Sequence, residues 1–210
     1  MFQIDIGSIG AEGPFLQWSA RGTQDGSIGP KSFYIRDGGE KIAYDATKGM
    51  VLDIEKMKTG WRKSDGIAGV APEWRWNPSL TQMMLPPGDD WKRGFSITVA
   101  IGGGETATWE QAGTPAWQAL VDLTPQLTQQ PGPGQLPLVK LTDTKAMQFK
   151  RGSTVSPVLT IVKWVPRPDC LKDGAAAGIA TEPAQPATKQ TAKAPAAPPP
   201  PPQTDEELEF

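Results

Sequence analysis

Residues 174–204 contain no aromatic residue and one large aliphatic residue, Ile179. Such a stretch cannot bury enough apolar surface to offset the entropy of ordering its backbone. Whatever folds must therefore fold within residues 1–173, which hold all eight Trp and most of the β-branched residues. That is enough for a sizeable core. The stretch is rich in Ala and Pro and ends in five consecutive prolines, Pro198 to Pro202. It predicts a disordered linker with an extended polyproline II end, and its 31 residues would reach ~30 Å as a plain coil. The chain then reads as a folded body over 1–173, a linker over 174–204 and a short tip over 205–210.

Within the body, Gly, Pro and Asp recur at short intervals, from Gly29-Pro30 and Gly38-Gly39 to Pro86-Pro87-Gly88 and Gly102-Gly103-Gly104. Between them lie short runs of strand character. Phe15 to Ser19 is one. Lys31 to Arg36 is another, with Phe33 and Ile35 on one face and Tyr34 on the other. Phe95 to Ile101 alternates most cleanly, large apolar residues at odd positions and small or polar ones at even positions. A helix is predicted after it, capped by Thr114 with Pro115 at its first position, presenting Trp117, Leu120 and Val121 on one face. Pro125 should stop or kink it near Leu123. Strand runs resume at Leu136–Leu141, near Met147–Arg151 and at Val158–Val165. The last is apolar on both faces, which places it centrally in a sheet. Strands, one helix and further strands predict a mainly β fold: an OB-type small β-barrel with hairpin insertions over 37–92 and one inserted helix, followed by the disordered tail.

The chain has no His and one cysteine, Cys170. His-based acid–base chemistry, His metal sites, thiolate clusters and intramolecular disulfides are thereby excluded. Asp89-Asp90 reads as a solvated turn, the triple Gly as a flexible turn without the Lys-Ser/Thr of a P-loop, and Cys170 as structural or incidental. No catalytic residue and no cofactor is expected. No apolar run approaches the ~18 residues of a membrane span, and Met1 to Ile6 lack the marks of a signal peptide. A cytoplasmic protein is expected.

The body carries 19 Lys/Arg against 18 Asp/Glu, and residues 174–210 carry 2 Lys against 5 acidic residues. A nearly neutral body cannot bind nucleic acid through bulk charge, so binding would need a local basic groove. Candidates for it are three interleaved triplets: Trp61-Arg62-Lys63, Trp74-Arg75-Trp76 and Trp91-Lys92-Arg93. An exposed ring can stack on any base while a neighbouring cation neutralises a phosphate, a combination that suits single strands. The competing reading is that the rings are core and the cations simply point the other way. On an alternating strand Trp74 and Trp76 share a face, as core or as a two-ring platform, with Arg75 opposed. Trp61 and Trp91 lie beside turns, which favours partial exposure. Arg21, Lys31, Tyr34 and Arg36 form a second candidate surface on the first hairpin.

The chain ends in Asp205-Glu206-Glu207-Leu208-Glu209-Phe210. Four acidic side chains around Leu208 and a terminal Phe suit a basic-rimmed hydrophobic pocket on a partner, or a basic groove on the body itself. Together with the Pro/Ala linker and the β-rich body, this tip resembles that of single-stranded DNA-binding proteins. Bacterial members end in acidic residues and Pro-Phe. Glu209 in place of that Pro makes this ending more similar to the phage-encoded versions. The resemblance covers the last six residues and the style of the linker. It implies an OB-fold body and a tip, Asp205, Glu206, Glu207, Leu208, Glu209 and Phe210, that recruits replication, repair and recombination proteins and competes with DNA for the groove. The expected function is therefore sequence-independent binding of single-stranded DNA in a host cytoplasm, with no enzymatic activity and no membrane partner. A homodimer is an open alternative to a monomer. The first competing function is a phage virion or assembly protein with a tethered acidic tail; the second is a carbohydrate-binding β-sandwich, whose Trp would stack on sugars.

Overall fold

The computed structural model describes residues 13–64, 71–150 and 152–172, all within the first of the chain's two units. The linker and tip expected at 174–204 and 205–210 lie outside the described residues.

The described chain is mainly β, with a sheet curled into a half barrel. Its strands are β1 (Phe15–Ser19), β2 (Ser32–Asp37), β3 (Glu40–Tyr44), β4 (Met50–Leu52), β5 (Lys58–Lys63), β6 (Glu73–Trp76), β7 (Lys92–Ala100), β8 (Thr106–Ala112), β9 (Gln135–Phe149) and β10 (Gly152–Pro166). One α-helix, α1 (Thr114–Leu127), joins β8 to β9. The strand order is β10-β9-β4-β7-β8-β1-β2-β3. Strand β5 continues the line of β4 along the same edge of β7 and carries β6 on its other side. All pairs are antiparallel except β1 with β8.

Alternation along these strands separates a core face from a solvent-side face. Phe95, Ile97 and Val99 of β7 point into the core, as their odd spacing predicts, beside Leu16 and Trp18 of β1, Phe33 of β2 and Trp109 of β8. The rings of Trp18, Phe33, Trp109 and Phe95 run in sequence at centroid separations of 5.0, 5.4 and 4.8 Å, tilted or edge-to-face. Such contacts add about 0.5–1.5 kcal/mol each beyond burial.

Helix α1 closes the core with Ala116, Ala119, Leu120 and Leu123. Its buried face thus differs from the expected one: Val121 is exposed and Trp117 half-buried. Gly113, with φ +110°, takes the N-cap position in place of Thr114, and Pro115 falls within the first turn. The helix also runs past Pro125 to Leu127. Pro125 lacks a donor for the carbonyl of Val121, but that residue faces solvent and water can satisfy it.

The late run Leu136–Leu141 and the first part of the next, Met147 to Phe149, belong to a single strand, β9, which pairs with β10; Lys150 lies in a turn and residue 151 outside the described residues. Strand β10, expected in the middle of the sheet, stands at its edge. Its second apolar face is covered by α1, and its free backbone groups are taken by side chains. Gln126 accepts from Ile161 N at 2.9 Å and donates to Leu159 O at 3.4 Å. Trp18 Nε1 donates to Val155 O at 3.0 Å, and Arg21 to Ser153 O at 3.0 Å. The gap between β10 and β1 is thus bridged by side chains rather than by a backbone ladder, which blunts an edge otherwise open to pairing.

At one end of the half barrel Arg167, just past β10, grips buried Asp53 with both terminal nitrogens at 2.5 and 2.9 Å and reaches Glu55 at 2.6 Å. Glu55 also accepts from Gly134 N at 2.8 Å. These bonds tie the end of the sheet to the turn after β4.

Candidate nucleic-acid interface

Cross-strand register decides which of the predicted residues meet. Residues paired directly across an antiparallel ladder point to the same face. Arg62 pairs with Trp74 and Lys92, and Gly60 with Trp76 and Gly94. Ser96 pairs with Glu110 on β8, Phe15 of β1 with Thr108 and Arg36, and Gln17 with Tyr34. Tyr34 and Arg36 pair in turn with Ala43 and Lys41. The solvent-side face therefore carries one continuous band: Trp74, Trp76, Lys58, Arg62, Lys92, Ser96, Glu110, Phe15, Gln17, Tyr34, Arg36 and Lys41.

The middle of this band is a cavity of about 820 Å³. Arg62, Trp74 and Trp76 form one wall, Phe15, Gln17 and Arg36 the other, and Glu110 lies between them. Beside it, glycine lets neighbouring strands approach closely. A Cβ at Gly60 would collide with Arg75 O, and one at Gly94 would stand 2.7 Å from Gln111 O and 2.8 Å from Ala112 Cβ. The paired row Trp76–Gly60–Gly94–Ala112 is thus a crease at which β6 and β8 lean toward the solvent-side face.

The two Trp of the second triplet are half-buried and stacked, with ring centroids 4.3 Å apart and planes 9° from parallel. Of the two readings open in the sequence, a platform fits this better than a core. Arg62 stands 5.9 Å over the Trp74 ring. Its Nε and Trp74 Nε1 are both buried and close no hydrogen bond on any described residue. Partial burial lowers the Arg62 pKa. Glu110 is pushed up by burial, against the opposing pulls of the Trp74 N–H, Arg62, the Ser96 hydroxyl and Lys58. The Trp74 N–H therefore lies close enough to act on the carboxylate without reaching hydrogen-bonding geometry.

Tyr34, on the face away from Phe33, is half-buried rather than fully exposed, and donates its hydroxyl to Gln17 Oε1 at 2.5 Å. Burial raises its pKa. Arg36, Lys58 and Lys92 are exposed. Lys41 is tied to Asp25 at 2.5 Å. That Lys, with hydrogen bonds from Thr23 and Ser27, holds Asp25 far below the usual carboxylate range.

The other predicted residues fall elsewhere. Trp61 is buried, not partly exposed: it shares the core-side face with Arg93 and donates its indole N–H to Met84 O at 3.0 Å. A position beside a turn did not expose it because the Asn77–Asp90 loop folds back over it. Arg93 stands 5.0 Å from the Trp61 ring and 5.3 Å from that of Trp117. With half-buried Trp91 it lines a separate cavity of about 570 Å³ at the start of α1. Lys63 pairs with Asp90 at 2.8 Å and Arg75 with Glu73 at 2.9 Å, both pointing away from the groove. Arg21 is spent on Ser153. Lys31 is exposed at a left-handed turn position, φ +54°, before β2. So the cavity gathers Arg36, Arg62, Trp74 and Trp76; Tyr34 and Lys92 share its face by register, Lys92 lining the second cavity, and Arg21, Lys31, Trp61, Lys63, Arg75, Trp91 and Arg93 fall elsewhere.

Sequence reasoning missed Phe15, Lys58 and Glu110. For Phe15 a signal existed: it alternates with Leu16, so one of the two must face out. Glu110 and Lys58 reach the groove only through register. Among the described residues no group of three or more His, Cys, Asp or Glu is arranged for a metal ion, and no helix is long and apolar enough to cross a membrane.

No protein-family model, curated protein or solved structure matches this chain.

Proposed function

We propose that the protein binds single-stranded DNA along the groove between the β5–β6 hairpin and β1–β2. The observation that carries this reading is the Trp74–Trp76 stack, set with Arg62 and Arg36 in one cavity, with exposed Lys58 and Lys92 on the same face of the sheet. An indole face accepts any base, and the surrounding cations suit phosphates spaced along a strand. Bulk charge does not oppose this, since the cations are local.

The topology supports the reading from a second side. Taking β4 with β5 as one interrupted strand, the order β10-β9-β4/β5-β7-β8 is 5-4-1-2-3, with the helix between strands 3 and 4. We read that order as supporting an OB-type barrel, with β1–β3 added where strand 3 would meet strand 5. OB barrels bind oligonucleotides on the face of strands 2 and 3 and with the loops after strands 1 and 4. In this chain those are the solvent-side face of β7–β8, the segment bearing β6, and the β9–β10 turn with exposed Phe149 and Lys150. The acidic tip would then serve as a docking handle for replication or recombination enzymes, and as a competitor for the groove.

Titration of intrinsic Trp fluorescence with oligo-dT at low salt tests the proposal. Quenching that is lost at high salt is expected, because phosphate contacts release counterions. Unchanged fluorescence and no shift in anisotropy of a labelled oligomer would favour a structural role in a virion, and quenching by glycans alone a sugar-binding one.

A further inference from the structure

The strangest group in the groove is Glu110. A carboxylate repels phosphates, so it weakens any site built only for the DNA backbone. The deoxyribose-phosphate chain of a single strand has no N–H, and its internal sugars have no O–H. The hydrogen-bond donors that DNA can offer this carboxylate are therefore on the bases.

Resting on the single-strand reading of the groove, we propose that Glu110, Trp74 and Arg62 form a base-reading subsite that prefers cytosine. Two donors, Trp74 Nε1–H and Arg62 Nε–H, are buried and unmatched among the described residues. They come from directly paired positions on β5 and β6. The acceptor, Glu110, comes from β8, with β7 in between. Both donors therefore lie on the same side of the carboxylate, and the subsite reads acceptor, donor, donor. The Watson–Crick edge of cytosine is the complement: the N4 amino group gives, and N3 and O2 receive. A carboxylate accepting from cytosine N4 is also an established pairing. Thymine fits poorly, because its one N–H is flanked by two carbonyl oxygens and one of these would face Glu110.

The test compares oligo-dC and oligo-dT of equal length with the full chain at one salt concentration and pH 7.5, by competition anisotropy. Oligo-dC should bind about five- to tenfold more tightly, the span expected of a single specific base contact. Glu110→Gln should still bind both oligomers but bring the ratio near one, since an amide can give to thymine as well as receive from cytosine. Oligomers of N4,N4-dimethylcytosine, which keep the ring but lose the amino donors, should bind the wild-type chain no better than oligo-dT. If wild type and Glu110→Gln share the same dC/dT ratio, or wild type shows none, the subsite reading is overturned while the groove reading stands. If neither oligomer binds, the groove reading itself falls.

Discussion

Trp76 lies flat on Trp74, ring centroids 4.3 Å apart, and so covers one face of it while Arg62 stands over the same ring. The face of Trp76 turned away from Trp74 is the indole surface this stack leaves for a base. Trp76→Ala should therefore weaken oligo-dT binding by about 1–3 kcal/mol, the usual worth of one stacked base. Arg75→Ala, one residue away but on the opposite face and paired with Glu73, should leave the affinity unchanged. Anisotropy titrations of the two variants at equal salt check the contrast.

The exposed cations of the groove should appear in the salt dependence. Replacing Arg36, Lys58 or Lys92 by Ala should lower affinity for every sequence alike and flatten the plot of log affinity against log salt, by up to ~0.7 for each phosphate no longer neutralised. Binding isotherms at several NaCl concentrations measure it. A slope identical to wild type in all three would remove them from the interface.

Glu110 gives the site a pH dependence of definite sign. Burial raises its pKa above the ordinary Glu value, against Arg62 and Lys58 on β5, Trp74 on β6 and Ser96 on β7. As pH falls through that raised value the groove loses a negative charge. Affinity for oligo-dT should then rise below neutrality in the wild type and stay flatter in Glu110→Gln. The same shift means that the native state holds this proton more tightly than the unfolded chain. Its contribution to stability is thus present at low pH and lost as pH rises through the folded pKa.

Asp53 is buried and held by Arg167. Arg167→Ala should cost about 3–5 kcal/mol, because it strands a carboxylate in the interior. Adding Asp53→Asn should recover part of the loss. Urea denaturation of the single and double variants provides the numbers, and additive effects would show that the pair is not coupled.

The clean alternation of Phe95 to Ile101 was sufficient to place β7 and its buried face, and the Gly/Pro punctuation located most of the other strands. Val158–Val165 misled because two apolar faces suggest a central strand, whereas α1 and the side chains of Trp18 and Gln126 do for β10 what a second neighbour would. Neither partner is near it in sequence. Which of the candidate residues share a face was legible only in part. Alternation separates Arg75 from Trp74 and Trp76, but only register puts Arg62 opposite Trp74 and sends Lys63 away. Glu110 had no local signal at all, since its meaning depends on strands that arrive from 34 and 48 residues upstream, at Trp76 and Arg62.

The crease at Gly60 and Gly94 is made by main chain, while the rings, cations and carboxylate that line it are side chains on the flanking strands. Form and selectivity are therefore separable. Exchanging Trp76, Arg62 or Glu110 leaves that crease in place, whereas a methyl group at Gly94 would press on the main chain of β8 and force the two strands apart. An engineer has here a mould to keep and a lining to change.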